Sequence, residues 1–320
     1  MSVAYLAVGG RGGTIWPMPS RAAIIHSPAY CCDIGAHVFP MEKFARVRAE
    51  LVAEGAVRDD EVIEPSPATR EELSLVHSAG YLDDLFGLRR TPRTAPSELP
   101  LTADIVRAYA LAAGGTTRAA REALARGVAV NLGGGFHHAF ADLASGFCYL
   151  NDLAIALRVL AKERCFERAA VVDVDLHQGN GTASIFRDDR SVFTFSIHQE
   201  HLYPVKERSD LDIGLEDLAG DEVYLERLAG GLERVWAHRP ELVLVQAGAD
   251  PFEDDQLGAL KLTFEGLERR DRMVLDGCSR RGIPVVVTLG GGYARHFADL
   301  VRIHVTTCRV ALGLPARETA

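Results

Sequence analysis

Asp173, Asp175 and His177 occupy alternate positions of the segment Val171-Val-Asp-Val-Asp-Leu-His177. In an extended chain, side chains two apart point the same way, so these three share one direction and Val172, Val174 and Leu176 take the other. Two carboxylates and an imidazole aimed at one spot are costly to bury unless a cation compensates them. Such oxygen and nitrogen donors suit zinc, and three protein ligands with an open position is the catalytic pattern. Taken alone, the segment also fits a structural Asp that caps the next helix. Asp250, after Ala247-Gly-Ala, supplies a third ligand on the metal reading, although an Asp behind a strand is more often a cap or turn residue.

Two further segments carry the same kind of chemistry. His137-His138 follows Gly133-Gly-Gly-Phe, where a backbone without side chains can approach a ligand closely. Adjacent histidines can act as a base and an acid around a water at a metal. The glycines resemble a phosphate cradle, but no Lys-Ser/Thr follows them, which excludes a Walker loop. Tyr293 follows a second triplet, Gly290-Gly-Gly, and a phenol near a metal can donate to a developing oxyanion. Each of these residues alone reads as an ordinary loop or packing residue; their placement changes that.

The elements that must position them are short apolar runs rich in β-branched residues: Val128–Leu132, Ala169–Val174, Val192–Ile197, Leu242–Gln246 and Pro284–Leu289. Each reads as a strand buried on both faces. Helical patterns lie among them at Thr102–Arg126, Asp152–Arg164, Asp217–His238 and Thr263–Arg281. This alternation predicts an α/β protein, a doubly wound and mostly parallel sheet between two helical layers, with its site beyond the carboxyl ends of the strands. Four of the five runs lead into the polar segments just described. The three prolines of Thr91–Pro100 predict a surface loop within a single domain.

Composition bounds the rest. The chain has 320 residues, 48% of them hydrophobic, and a formal charge of −9 from 35 basic and 44 acidic residues. An acidic chain without a long Lys/Arg run has no electrostatic footprint for nucleic acid, and the small cluster Arg89, Arg90, Arg93 reads as a solvated loop. No apolar run is long enough to span a bilayer and no signal peptide is recognisable, so no membrane association and a cytoplasmic location are expected. The six cysteines, none in a CxxC pair, are expected to be reduced thiols.

In order along the chain, Gly133-Gly-Gly-Phe-His-His138, Ser145-Gly-Phe-Cys-Tyr-Leu-Asn-Asp152, Asp173-Val-Asp-Leu-His-Gln-Gly-Asn-Gly181, Ala247-Gly-Ala-Asp250 and Gly290-Gly-Gly-Tyr293 resemble the zinc-dependent histone deacetylases and their bacterial relatives. Ile25-His-Ser-Pro28, His37-Val-Phe-Pro-Met-Glu-Lys-Phe44 and Val76-His-Ser-Ala-Gly-Tyr81 agree, with a flavour of class IV. The match spans roughly residues 24 to 312; residues 1–21, rich in Gly and Pro, form an extension without a counterpart, and 22–320 the catalytic domain.

The resemblance implies an arginase/deacetylase-like fold and a zinc-dependent deacylase. Asp175, His177 and Asp250 would hold Zn²⁺, with Fe²⁺ as the other ion that suits the site. His137 and His138 would be the tandem histidines, with His138 the general base and Asn180 its partner. Tyr293 would polarise the carbonyl, and Asp173 would orient His137. A structural potassium (K⁺) would be held by Asp173, Asp175, His177, Ser196 and Ile197. Gly146, Phe147, Leu257 and Gly291 would contact substrate. Gln178 and Asn180 depart from the best-known members, which carry His and Asp there; an amide cannot stabilise an imidazolium as a carboxylate does, so His138 is expected to be more readily neutral.

The implied substrates are acylated lysines of proteins or small acylated amines, with acetylpolyamines as the alternative. A dimanganese ureohydrolase is disfavoured, because Gly179 and Phe252 stand where a second metal needs carboxylates. A catalytically inactive acyl-binding module is disfavoured because every ligand, base and tyrosine position is filled. Neither the oligomeric state nor the physiological substrate is legible.

Overall fold

The computed structural model describes residues 22–313. The extension expected over residues 1–21, and the last seven residues of the domain, lie outside the described residues.

Among the described residues, one seven-stranded sheet organises the fold. Its strands are β1 (Ala23–Ile25), β2 (Val128–Asn131), β3 (Ala169–Asp173), β4 (Val192–Gln199), β5 (Leu211–Leu215), β6 (Leu242–Gln246) and β7 (Val285–Thr288). Their order across the sheet is β1-β2-β7-β6-β3-β4-β5, and every neighbouring pair is parallel. Parallel neighbours need crossover helices, which cover both faces. The alternation of side chains divides the core accordingly. Val171, Leu244 and Val286 pack with helices Ala103–Arg126 and Asp152–Lys162. Val172, Val243, Val245 and Val287 pack on the other face, with helices Asp221–Ala237, Phe264–Arg281 and Phe297–Ala311. The α/β/α architecture read from the sequence is the one observed.

Boundaries differ in instructive ways. β3 stops at Asp173, one residue before its expected end, although the alternation persists: Val174 and Leu176 remain in the core while Asp175 and His177 turn away from it. The helix expected from Asp217 begins at Asp221, since Leu218 takes a left-handed conformation and Gly220 caps the helix. Thr91–Pro100 is not simply a surface loop. Thr94 and Ser97 are buried, and Phe147 N–H donates to the Ser97 carbonyl at 3.0 Å. Arg89 and Arg93 of the basic cluster both pair with Asp84. All six cysteines are free thiols, as expected.

Two buried tethers fix the carboxyl edge of the sheet. The first is Asp152, at the start of its helix. Its carboxylate accepts from Gly135 N–H (3.0 Å), Phe136 N–H (2.8 Å) and the Thr116 hydroxyl (2.6 Å). Gly134 and Gly135 have φ of 79° and 81°, a conformation that disfavours any side chain, so the turn into His137 needs glycine. The second is Arg270, whose Nη1 donates to the carbonyls of Gly248 (2.6 Å) and Val174 (3.2 Å), while Nε bonds Asp271 at 2.9 Å. One fully buried guanidinium thus ties together the segments that carry Asp175 and Asp250.

Asp152→Ala removes the acceptor for two buried N–H groups, each costing ~1–3 kcal/mol when unsatisfied. Chemical denaturation should therefore show a loss of about 3 kcal/mol with an unchanged m-value. A loss below about 1 kcal/mol would mean that water replaces the carboxylate at no cost.

Candidate active site

Asp175 and His177 follow β3, and Asp250 follows the adjacent β6, so two strand ends bring the three side chains together. One ligand atom from each lies within 4.8 Å of the others, and all three residues are buried. His177 Nδ1 sits 3.3 Å from Asp175 Oδ1 and 3.2 Å from Asp250 Oδ2. Asp175 is oriented by Gln246 Nε2 (2.8 Å) and Gly291 N–H (2.9 Å), and Asp250 by Leu176 N–H (3.0 Å). A Cβ on Gly248 would lie 2.1 Å from Asp175 Oδ2, and one on Gly291 2.2 Å from Asp250 Oδ2, so both positions require glycine. Two carboxylates and one imidazole, convergent and shielded from water, fit a divalent ion such as zinc or iron. Burial opposes a charge on His177, but Asp175 and Asp250 hold its imidazole up to about 10.

The tandem histidines have different partners and are shifted in opposite directions. His137 Nδ1–H donates to Asp173 Oδ2 at 2.7 Å. Burial works against its charge, yet Asp173 and Asp175 raise it to about 8. His138 Nδ1–H donates instead to Asn180 Oδ1 at 2.8 Å, an acceptor fixed by Gly181 N–H on the same oxygen. Burial, together with the neighbouring His137 and His177, holds His138 well below the usual imidazole range. With Nδ1 protonated, Nε2 carries the lone pair. His138 is thus suited to take a proton at neutral pH and His137 to give one.

Above the cluster runs a channel. Its inner chamber, about 30 Å³, is lined by the three ligand residues, both histidines, Gly134–Phe136, Phe39 and Tyr293. The outer chamber, about 200 Å³, is walled by Phe147, Tyr203, Leu202 and Leu257 and shares His138, His177, Gly146 and Tyr293 with the inner one. Burial, followed by Asp250 and Asp175, keeps the Tyr293 phenol far above its ordinary range, so it remains a donor. Of the expected substrate contacts, Gly146, Phe147, Gly291 and Leu257 all line the channel. The Gly291 N–H also donates to Asp175 and so supports the cluster. Ser196 pairs with Asp173 across β3 and β4, and its hydroxyl bonds His198 Nδ1 at 2.9 Å.

Several residues of the site escaped the sequence reading. Asp255, raised to about 7 by burial and the nearby Asp250, accepts from the backbone N–H of both Tyr293 (2.7 Å) and Leu257 (2.8 Å). Lys43 is fully buried and its ammonium donates to the Gly290 carbonyl. Gln246 was legible in principle, as the one polar residue ending an apolar strand. Tyr203 and Glu98 come from irregular segments without a periodic signal.

Comparison with known proteins identifies the relatives of this chain. The histone deacetylase domain model matches residues 37–308. An uncharacterized protein of Picosynechococcus sp. is 42% identical over 292 residues, covering 90% of this chain and 97% of its own. Histone deacetylase 2 of Arabidopsis thaliana is 31% identical over 300 residues, covering 88% and 77% respectively. The crystal structure of an HDAC homolog complexed with SAHA superimposes with a TM-score of 0.82 at 27% identity, covering 93% of this chain and 86% of that one.

His177→Ala removes the only nitrogen of the donor set. The purified variant should lose stoichiometric zinc by metal analysis while its circular dichroism stays that of the parent. Retention of a full equivalent would exclude this cluster as the metal site.

Proposed function

Because the chain belongs to the histone deacetylase family, we propose that it hydrolyses the amide of an acetylated lysine side chain with the help of a divalent metal. The observation that carries this reading is a histidine pair, one ring bonded to a carboxylate (Asp173) and the other to a carboxamide (Asn180), beside a buried Asp-His-Asp cluster at the floor of an apolar channel.

Asp175, His177 and Asp250 would hold the ion, zinc or iron. When bound it supplies Lewis acidity, polarising the amide carbonyl and acidifying water. The chain's own groups do the rest. His138 Nε2 takes the proton of the attacking water, with its tautomer set by Asn180. Tyr293 donates its phenol hydrogen to the oxygen that gains charge. His137, held protonated by Asp173, returns a proton to the departing lysine amine. Asp173, Ser196 and the carbonyls of Asp175, His177 and Ile197 are proposed to hold a potassium ion.

The two chambers support a division of labour. The outer one suits the four methylenes of a lysine stem, between the rings of Phe147 and Tyr203. An inner chamber of about 30 Å³ accommodates only about two water-sized groups, which favours acetyl over long acyl chains. A second reading, an acetylpolyamine hydrolase, draws support from one residue: Glu98 lines the outer chamber together with the apolar Leu257. It is exposed, and a carboxylate in water attracts a cationic chain only weakly. Acetyl-lysine is therefore the better-supported substrate.

Tyr293→Phe keeps the ring and removes the donor. It should retain metal and fold, and lower kcat by ~10²–10³ in steady-state kinetics; near-normal turnover would reduce Tyr293 to a packing residue.

Across a panel, kcat/KM should fall in the order acetyl-lysine peptide, acetylspermidine, octanoyl-lysine peptide. A polyamine preference lost in Glu98→Gln would establish the second reading, and efficient octanoyl turnover would show that the inner chamber opens.

A further inference from the structure

Gln178 directly follows a residue of the ligand cluster, is buried, and plays no part in the steps above. Its carboxamide faces a single partner residue in both directions. Nε2 donates to the Glu207 carbonyl at 2.6 Å, and Oε1 accepts from the Glu207 N–H at 2.8 Å. Nε2 also donates to Asp212 Oδ1 at 2.7 Å, at the start of β5. Glutamine is suited to this arrangement because a carboxamide presents donor and acceptor side by side, whereas a carboxylate only accepts.

What the clasp holds is the outer wall of the channel. Glu207 closes the irregular segment 200–207, which carries Tyr203. That ring lies 5.3 Å from the His138 ring and 6.1 Å from the His177 ring, and its hydroxyl bonds the Ser145 hydroxyl at 2.7 Å. A Cβ on Gly146 would lie 2.7 Å from the Tyr203 oxygen and 2.5 Å from His138 Cδ2, so wall, turn and histidine are in close contact. The apolar anchoring of the segment is partial: Pro204 is buried and Leu202 packs against the core, while Tyr203 is 46% exposed and Val205 88%. Beyond the Tyr203–Ser145 bond, its other side-chain ties are longer, local or exposed. Asn180 Nδ2 reaches the Val205 carbonyl at 3.4 Å, and Lys206 Nζ bonds carbonyls of Gln199 and Leu202 nearby in sequence. Arg187 pairs with the Glu207 side chain at the surface, where water competes.

We propose that Gln178 is a positioning residue: its two-way bond to Glu207 sets the Tyr203 wall of the channel and thereby the grip on the lysine stem. This rests on the reading of the channel as an acyl-lysine site. The stem is held equally before and during reaction, so loosening its wall raises KM and leaves kcat almost alone.

Two variants separate the roles. Gln178→Glu keeps length and acceptors, loses both donations and sets a carboxylate against Asp212. Gln178→Met keeps the packing with neither donor nor acceptor, and decides the matter if the first fails to fold. In holo protein, amide exchange over 202–207 should accelerate about tenfold in both variants relative to the parent. With an acetyl-lysine peptide, KM should rise about tenfold with kcat within about twofold and metal content unchanged. Parental exchange rates, or fast exchange with a parental KM, would overturn the proposal. If the parent itself turns over no acyl amide, the proposed function fails instead, and the exchange comparison alone decides whether Gln178 holds the wall.

Discussion

Two buried carboxylates standing side by side are the constraint around which this molecule is arranged. Asp175 and Asp250 are essentially inaccessible, and charges of one sign repel strongly where water is excluded. Burial and Asp175 push the Asp250 carboxyl up, while the histidines beside Asp175 hold it well below the usual range, against its own burial. The surrounding chain supplies what each needs: N–H groups from Leu176, His177 and Gly291, the Gln246 amide, and the His177 proton between them. Lys43 stands behind, lowered to about 8 by burial that outweighs the attraction of Asp250, Asp175 and Asp255. Arg270 fixes the carbonyls beneath. A divalent cation suits such an arrangement, since it would offset the repulsion between the two carboxylates.

The second theme is how neighbouring histidines acquire opposite protonation. They share one loop and lie 4.1 Å apart between ring centroids. Their partners differ: a carboxylate for His137 and a carboxamide for His138. With Asp173 charged and Asn180 neutral, one ring is stabilised as the cation and the other is penalised by burial and by its charged neighbours. A single atom type at position 180 thus helps to separate base from acid.

The ends of the strands were readable from the sequence because strands buried on both faces leave unbroken apolar runs, and polar residues stand out where those runs stop. Asp173, Asp175, His177 and Asp250 were found this way, and the structure brings the last three together. Short or polar edge elements left no such trace: β1 has three residues, and Leu211-Asp-Ile-Gly-Leu215 is too polar to register. Helix Phe297–Ala311 and the segment carrying Tyr203 were likewise missed, the latter because an irregular loop has no period. Asp255 and Lys43 were invisible for a different reason. Their roles depend on burial against residues distant in sequence, which single-sequence patterns do not encode. The proline-rich Thr91–Pro100 misled, since composition reports backbone irregularity and says nothing of what packs above it.

The sheet order has a consequence of its own. The histidine pair, the two ligand segments and Tyr293 follow β2, β3, β6 and β7, which are adjacent in space as β2-β7-β6-β3 but scattered along the chain. Val128 pairs with Val285, residues far apart along the chain, in the sheet that carries the site. The Asp-His-Asp cluster needs both β3 and β6, which are separated in sequence by β4 and β5. Contacts this distant in sequence slow folding. The three residues of the buried cluster therefore meet only in the assembled sheet, never within one short stretch of chain.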